Sequence, residues 1–205
     1  MSRKRVEAEN ILQNLKNLAV EYKVHEVCCS MLNDPKFLEC SGSGQMGQHH
    51  YGEYGLIKHT SEVVNYCLTI ASHVEYPIDE KILFLGSLFH DYGKTYDYEY
   101  CEVICKWRKT RHARRIHHIS RSALLWQRCY GSYVELYDER PSDPRDEIEV
   151  TEEEADLVTH IILSHHGRRE WGSPVSPNTR EAWIVHLCDG MSARLNDCDT
   201  LDRLD

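Results

Sequence analysis

The stretch Leu85-Gly-Ser-Leu-Phe-His-Asp-Tyr-Gly-Lys94 sets two metal-capable side chains, His90 and Asp91, directly behind an apolar run from Ile82 to Phe89. An ionised Asp is rarely buried unless it is paired or coordinated, so the pair is an unusual ending for a buried helix. Gly93 reads as a helix terminator just after it, and Lys94 places a cation beside the anionic centre. Taken alone, the decapeptide fits an exposed helix end as well as it fits a metal site. The other histidines break the tie. The chain has thirteen, many as doublets or behind apolar runs: His49-His50, His59, His90, His117-His118 and His165-His166. One His on an apolar helical face is usually a satisfied core residue. A succession of them, with Asp91 beside one and Asp189 at the end, points to ligands drawn from several helices around one centre, as in the metal sites of helical bundles. Neutral imidazole and carboxylate ligands suit Mn, Fe, Co, Ni or Zn.

The elements that must position these residues are helical. Apolar residues Ile11, Leu12, Leu15, Leu18, Ala19 and Tyr22 recur at helical spacing and predict a helix from about Glu7 to Leu32. Asp34-Pro35 ends it, and Cys40 to Gly47 is a Gly/Ser-rich loop. A helix opens at Gly55, carries His59 and runs to about His73; the next starts near Asp79 and ends at His90-Asp91. Tyr96 to Glu102 alternates aromatic and acidic residues and reads as an irregular loop or a short hairpin strand. Lys106 to Arg115 is densely basic and reads as a charged turn or as a border of the cleft that attracts a polyanion. A helix from about Ile116 to Tyr137 follows, then an acidic stretch from Asp138 to Glu149 with Pro141 and Pro144, expected to be a solvated loop. Thr151 and Glu154 form a capping box for a helix that runs to Ser164 and ends at His165-His166-Gly167. Asn178 or Thr179 caps a last helix through Ala193, which carries Asp189. With at least five substantial helices and no convincing sheet, the fold class is all-α.

Composition narrows the function classes. A chain of 205 residues with 41% hydrophobic residues supports one cored domain. Its net charge of −9 argues against a broad DNA-coating surface, although it leaves room for a small basic cleft. No apolar run reaches roughly eighteen residues, so no membrane span is expected. The N-terminus lacks an apolar signal core, and the expected location is cytoplasmic. Nine cysteines, an odd number without a CxxC pair, read as reduced thiols rather than a disulfide frame or a Cys-rich zinc site.

The ordered set His59, His90-Asp91, His118, His165-His166 and Asp189 resembles the HD-domain superfamily of metal-dependent phosphohydrolases, whose pattern is H…HD…D on a helical core. The resemblance covers roughly residues 46–196. Within the superfamily the chain looks most like the HD domain of bacterial 3′-to-5′ exoribonucleases. The stretches that carry this likeness are His49-His-Tyr-Gly-Glu-Tyr-Gly-Leu-Ile-Lys-His59, His90-Asp-Tyr-Gly-Lys94, and Ser164-His-His-Gly167 with Gly172-Ser-Pro174. It implies an HD-domain bundle over residues 46–205, with residues 1–45 a helical extension packed on it.

The resemblance also implies roles. His59, His90, Asp91 and Asp189 hold a first divalent metal, and Asp91 bridges to a second that His118 and His165 complete. His166 is either a further ligand or a neighbour of one, and His117 a neighbour. The ions, two of Mn, Fe, Co, Ni or Mg, would activate water and polarise a phosphoryl oxygen. Lys94 would neutralise charge on the phosphate, and Asp189 would orient the nucleophile. His49 and His50 could touch substrate or form a solvent-exposed loop; Arg168 and Arg169 could bind phosphate or end a helix in solvent.

The exoribonucleases carry an OB-type module ahead of the HD domain. Here the residues before His49 read as helix, so a nucleotide, cyclic nucleotide or short oligonucleotide is the expected substrate, cleaved as a phosphodiester. The alternatives are a nucleotidase or nucleoside triphosphate hydrolase needing only the first metal, a di-iron oxygenase of the same fold, and a non-catalytic binding module, against which the intact ligand set counts. Oligomeric state stays open.

Overall fold

The computed structural model describes residues 2–140 and 147–201, with side chains to residue 197. Among the described residues the chain is all-α apart from one hairpin. Its helices are α1 (Arg3–Glu21), α2 (His25–Leu32), α3 (Pro35–Glu39), α4 (Gly55–Ala71), α5 (Glu80–Phe89), α6 (Lys94–Asp97), α7 (Arg111–Arg115), α8 (His118–Asp138), α9 (Glu152–Ser164) and α10 (Arg180–Leu201). Strands β1 (Tyr98–Cys101) and β2 (Lys106–Lys109) form the antiparallel hairpin between α6 and α7.

Helix α5 is the centre. Asp79 caps it by accepting from the Ile82 N–H at 3.0 Å, and every residue from Ile82 to Phe89 is buried. A helix apolar on all sides must be surrounded, and α4, α9 and α10 pack around it. Phe89 meets Trp126 of α8 edge-on at 4.9 Å between ring centres. Ala8, Leu15 and Ala19 of α1 and Val27, Cys28 and Met31 of α2 belong to the same core.

Sequence periodicity suggests one helix over residues 7–32, but the chain breaks at Lys23, whose φ is +55°. The Val24 N–H donates to the Ala19 carbonyl and the Lys23 N–H to that of Val20, the paired bonds of a Schellman ending. Glycine usually marks this position, so a lysine there hides the turn. The next helix keeps the apolar rhythm because α2 buries its own face.

The acidic stretch also departs from a purely solvated loop. Glu149 is half-buried and its carboxylate accepts from the Glu26 and Val27 N–H groups at 3.1–3.3 Å, capping α2 from a distant part of the chain. Pro141 and Pro144 lie outside the described residues.

Other boundaries follow local chemistry. Thr151 and Glu154 do form the capping box of α9. Thr179 caps α10 through a 3.1 Å bond from the Ala182 N–H, and the helix runs on past Ala193. Gly93 is not a helix terminator. Its φ is −61°, and a Cβ there would stand 2.2 Å from the His118 carbonyl oxygen and 2.7 Å from the Ser122 nitrogen. Glycine lets the turn after Asp91 touch the first turn of α8, and the Gly93 N–H donates to Ser122 Oγ at 2.8 Å. That contact sets His118 opposite Asp91.

Among the described residues the cysteines are all free thiols, and no helix is long and apolar enough to cross a membrane.

Candidate metal centre

Five helices bring their ligand-type residues to one place. His59 comes from α4, His90 and Asp91 from the end of α5, His118 from the start of α8, His165 and His166 from the end of α9, and Asp189 from α10. They form two adjoining groups. One ligand atom each of His59, His90, Asp91 and Asp189 lies within 4.8 Å of the others; the same holds for His118, His165 and His166. Asp91 stands between the groups. Its Oδ2 is 3.2 Å from His59 Nε2 and 3.4 Å from His90 Nε2. Its Oδ1 is 3.4 Å from His118 Nε2 and 3.7 Å from His165 Nε2.

The surrounding hydrogen bonds turn each imidazole the same way. His90 Nδ1–H donates to the Ser87 carbonyl at 2.7 Å, His165 Nδ1–H to that of Ile162 at 2.7 Å, and His166 Nδ1–H to that of Trp171 at 2.6 Å. A carbonyl can only accept, so these rings carry their proton on Nδ1 and present a bare Nε2 to the centre. Ser192 Oγ–H donates to Glu62 at 2.8 Å and accepts from His59 Nδ1 at 3.0 Å, which leaves His59 Nε2 bare as well. His59 Nε2 and His90 Nε2 then face each other at 3.3 Å. Two lone pairs at that separation repel unless a proton or a cation lies between them.

The orphaned atoms make the same point. Asp91 Oδ1, His118 Nε2 and His165 Nε2 are buried without a hydrogen-bond partner, while Asp91 Oδ2 is met by Lys94 Nζ at 2.6 Å. Buried polar atoms are nearly always satisfied, and this set consists of acceptors alone. A protein hydrogen-bond donor would satisfy one of them; a divalent cation satisfies a whole group. The residues therefore fit metal, with His and carboxylate donors of the type that Mn, Fe, Co, Ni or Zn accepts.

Charge follows from this packing. Burial pushes Asp91 toward the neutral acid, but Lys94, whose Nζ is 2.6 Å from Oδ2, and the neighbouring histidines outweigh it and hold its pKa well below the usual carboxylate range. Burial likewise disfavours the Lys94 ammonium, yet Asp91 keeps it charged and raises its pKa. Burial works against a proton on His59, and the carboxylates of Asp189 and Asp91 more than restore it. Burial pushes His118 down to about 4 and His165 well below the ordinary histidine value. Asp189, only 15% exposed, is lowered against its burial by a hydrogen bond from His59, whose Nε2 takes up a second ring proton here that a cation would displace.

The groups behind the ligands had no clear signal in the sequence. Asp97 is 2% exposed and shared by two rings: His112 Nδ1–H donates to Oδ1 at 2.6 Å, and His118 Nδ1 faces Oδ2 at 3.5 Å. Arg121 Nε–H donates to His112 Nε2 at 2.9 Å and fixes that tautomer. Asp97 stood in a segment that alternates aromatic and acidic residues; only its spacing, one turn after Lys94, hinted at an inward position. Glu62 and Ser192 sit one turn from His59 and Asp189 and read as ordinary helix polar residues. Asn at position 97 would keep the shape and remove the anion that orients His118. We expect Asp97→Asn to weaken divalent-metal affinity by about 10- to 100-fold, measured by calorimetric titration of Mn²⁺ into metal-free protein.

The cleft above the centre encloses about 310 Å³; His49, Lys94, Tyr98, His118, His166 and Asp189 are among its walls. His186 joins them, its Nδ1–H donating to the His165 carbonyl at 2.8 Å. Its ring fits because residue 167 is glycine: a Cβ at Gly167 would stand 2.4 Å from His186 Cε1, and the φ of +79° suits glycine as well. Not every residue expected at the substrate is placed there. His49 lines the cleft, whereas His50 is buried behind His59, its Nε2–H donating to Glu62 at 3.0 Å. Arg168 and Arg169 are exposed and line no part of the cleft; the Arg168 guanidinium lies 5.1 Å over the Trp171 ring, whose face competes for it. His117 packs on His118 with ring centres 4.1 Å apart and belongs to neither ligand group.

Protonation of the histidines links the centre to stability. His118, and His49 with a pKa of about 3, stay neutral when folded at pH values where the unfolded rings, near 6.5, take up protons. Their contribution is complete above about pH 6.5 and is lost as pH falls toward 4 and 3. His59, raised, acts in the opposite sense, but His49, His50, His118 and His165 are all lowered. We expect the Tm of chelator-treated protein to fall steadily from pH 7 to pH 4.5; a flat profile would contradict this assignment.

The helical core brings together paired His/Asp groups that could hold metal, and the chain belongs to the HD domain family, whose profile matches residues 56–194. Among curated proteins it is similar to the 3′-5′ exoribonuclease YhaM of Bacillus subtilis (strain 168), with 30% identity over 152 residues, 74% of this chain. The aligned part is 42% of that protein's length. No solved structure matches the chain.

Proposed function

We propose that the protein is a two-metal phosphodiesterase that cleaves nucleotides, cyclic nucleotides or short oligonucleotides. One observation carries the two-metal reading. Each Asp91 oxygen faces a different histidine group, and Oδ1, the one turned to His118 and His165, is buried without a hydrogen-bond partner. His59, His90, Asp91 and Asp189 would hold one cation; His118, His165, His166 and the other Asp91 oxygen the second. Bound there, a pair of divalent cations supplies Lewis-acid polarisation of the phosphoryl oxygen and lowers the pKa of water.

The chain's own residues do the rest. Lys94 presents a buried cation at the cleft wall and neutralises charge that develops on the phosphate. Asp189, ionised and at the cleft, accepts a hydrogen bond from the attacking water and orients it. His49 and His186 stand where the leaving nucleoside would lie. A cleft of 310 Å³ is at the small end for ligand pockets and suits one nucleotide at a time. The relative's printed role as a 3′-5′ exoribonuclease supports a nucleic-acid phosphodiester over a monoester.

The test is a metal panel of Mn²⁺, Mg²⁺, Co²⁺, Ni²⁺ and Fe²⁺ with bis-p-nitrophenyl phosphate, mononucleotides, nucleoside triphosphates, cyclic nucleotides and short RNA and DNA, beside elemental analysis of the purified protein. Diester hydrolysis that needs two equivalents of metal is the expected result. Turnover of monoesters or triphosphates alone, saturation with one equivalent, or oxygen uptake with iron in place of hydrolysis would each overturn it.

A further inference from the structure

The basic run from Lys106 to Arg115, unusual in a chain of net charge −9, forms β2 and α7. The hairpin register sets Tyr98 opposite Lys109 and Tyr100 opposite Trp107. Directly paired residues share a face of the sheet. Tyr98, Tyr100, Trp107 and Lys109 therefore stand on one face, while Glu99 and Arg108 occupy the other and pair with each other at 2.9 Å. The Tyr100 and Trp107 ring centres are 5.9 Å apart, and Tyr100 is 50% exposed. Trp107 is half-buried against the core and Tyr100 stands exposed beside it, so the hairpin presents aromatic surface next to Lys109.

Between this hairpin, α3 and α6 lies a hollow of about 380 Å³. Tyr96, Tyr98 and Trp107 give it aromatic walls, and Lys36, Glu39 and the Arg108-paired Glu99 add charge of both signs. Tyr98 also lines the catalytic cleft, so the two hollows adjoin across one side chain. The hairpin is tied to the loop that carries His49: the Trp107 N–H donates to the Tyr51 hydroxyl at 3.0 Å.

We infer that this hollow is a second nucleotide subsite, which takes the base next to the scissile nucleotide of a single-stranded substrate and stacks it on Trp107. The inference rests on the phosphodiesterase reading for the position of the scissile nucleotide. Flat aromatic walls accept any base by its π-face, the pattern of single-strand binding sites. Glu39 can accept hydrogen bonds from exocyclic amines, and Lys36 and the Arg108-bound Glu99 leave the hollow without a net charge that would draw in phosphate, so a base enters it by its faces and the backbone stays outside, along Lys109. A duplex is excluded by its own stacking, which hides the base faces that Trp107 would need. The occupant is therefore a single strand of at least two nucleotides.

The test is fluorescence anisotropy with the protein as purified and a 5′-fluorescein pentaadenylate carrying phosphorothioate linkages, in competition with 5′-AMP. The pentamer should bind at least tenfold more tightly than AMP. Trp107→Ala should weaken pentamer binding by about tenfold, within the range of one lost base stack, and Trp107→Phe should restore most of it. Tyr100→Ala, at an exposed position outside the core, should act in the same direction if Trp107→Ala folds poorly. Lys109→Ala should lower the slope of log affinity against log salt by about one. Equal affinity for pentamer and AMP, no effect of Trp107→Ala and Tyr100→Ala, or a Phe variant as impaired as the Ala one would each overturn the inference. Hydrolysis of the unmodified oligonucleotide is followed in parallel. Length-dependent binding without hydrolysis supports the subsite and removes the phosphodiesterase reading; hydrolysis without length-dependent binding does the reverse.

Discussion

Asp91→Asn is expected to strip the protein of metal and to lower diester turnover by at least about a thousandfold, the scale on which a two-metal site contributes. Asparagine keeps the shape of the side chain but offers one oxygen and an amide that can only donate. Asp91 faces both ligand groups, so no single neighbour can replace it: Oδ2 looks to His59 and His90, Oδ1 to His118 and His165. The substitution has a second consequence. Lys94, buried beside Oδ2, loses its nearest anion, and breaking a buried pair destabilises by about 3–5 kcal/mol. Loss of activity alone would thus be ambiguous. The double variant Asp91→Asn/Lys94→Met removes both charges and is expected to regain stability without regaining metal or turnover. Metal content by elemental analysis, urea unfolding and diester hydrolysis together separate the two effects. Full metal loading of Asp91→Asn would sink the shared-ligand assignment.

Lys94→Met is expected to keep both metals and to lower kcat by about a hundred- to a thousandfold, the usual loss when one preorganised stabilising group is removed. Methionine fills a similar volume and leaves every ligand in place. The cation it removes is 2.6 Å from Asp91 and forms part of the cleft wall. In the metal-free protein this lysine is the main counter-charge for Asp91, which raises a different possibility: it could serve only to keep the empty centre folded. The two roles separate cleanly. A folding role predicts that Lys94→Met destabilises the metal-free protein and leaves the kcat of the metal-loaded one alone. A substrate role predicts the loss in kcat with metal bound. Steady-state kinetics at saturating Mn²⁺, read beside the Tm with and without chelator, decides between them.

Much of the centre was legible along the chain because metal ligands are few in type and must come from several elements. The ordered histidines, the His-Asp pair behind an apolar run and the late Asp189 marked residues that the fold brings together, and helical periodicity marked the helices that carry them. The boundaries of α9 were equally clear, since Thr151 and Glu154 form a local motif. Other features were opaque. Lys23 in a left-handed turn, Glu149 capping α2 from afar and Gly93 in helical conformation all depend on partners remote in sequence. Periodicity and turn chemistry describe a residue's neighbours along the chain; they say nothing of a carbonyl 2.2 Å from a missing Cβ.

The same division holds for function. The sequence by itself determined an all-α chain with a His/Asp ligand set and a lysine beside it, because residue type and helical spacing are enough to put such groups on inward faces. Only the tertiary structure decided which of them meet. It turned the Nε2 of each of these histidines inward by setting Nδ1 against a carbonyl, a serine or Asp97, and it placed His50, Arg168 and Arg169 away from the cleft while bringing His186 into it. It also closed the hairpin so that Tyr98 divides two hollows. Those outcomes rest on distances between helices distant in sequence, which packing around α5 fixes and no local pattern records.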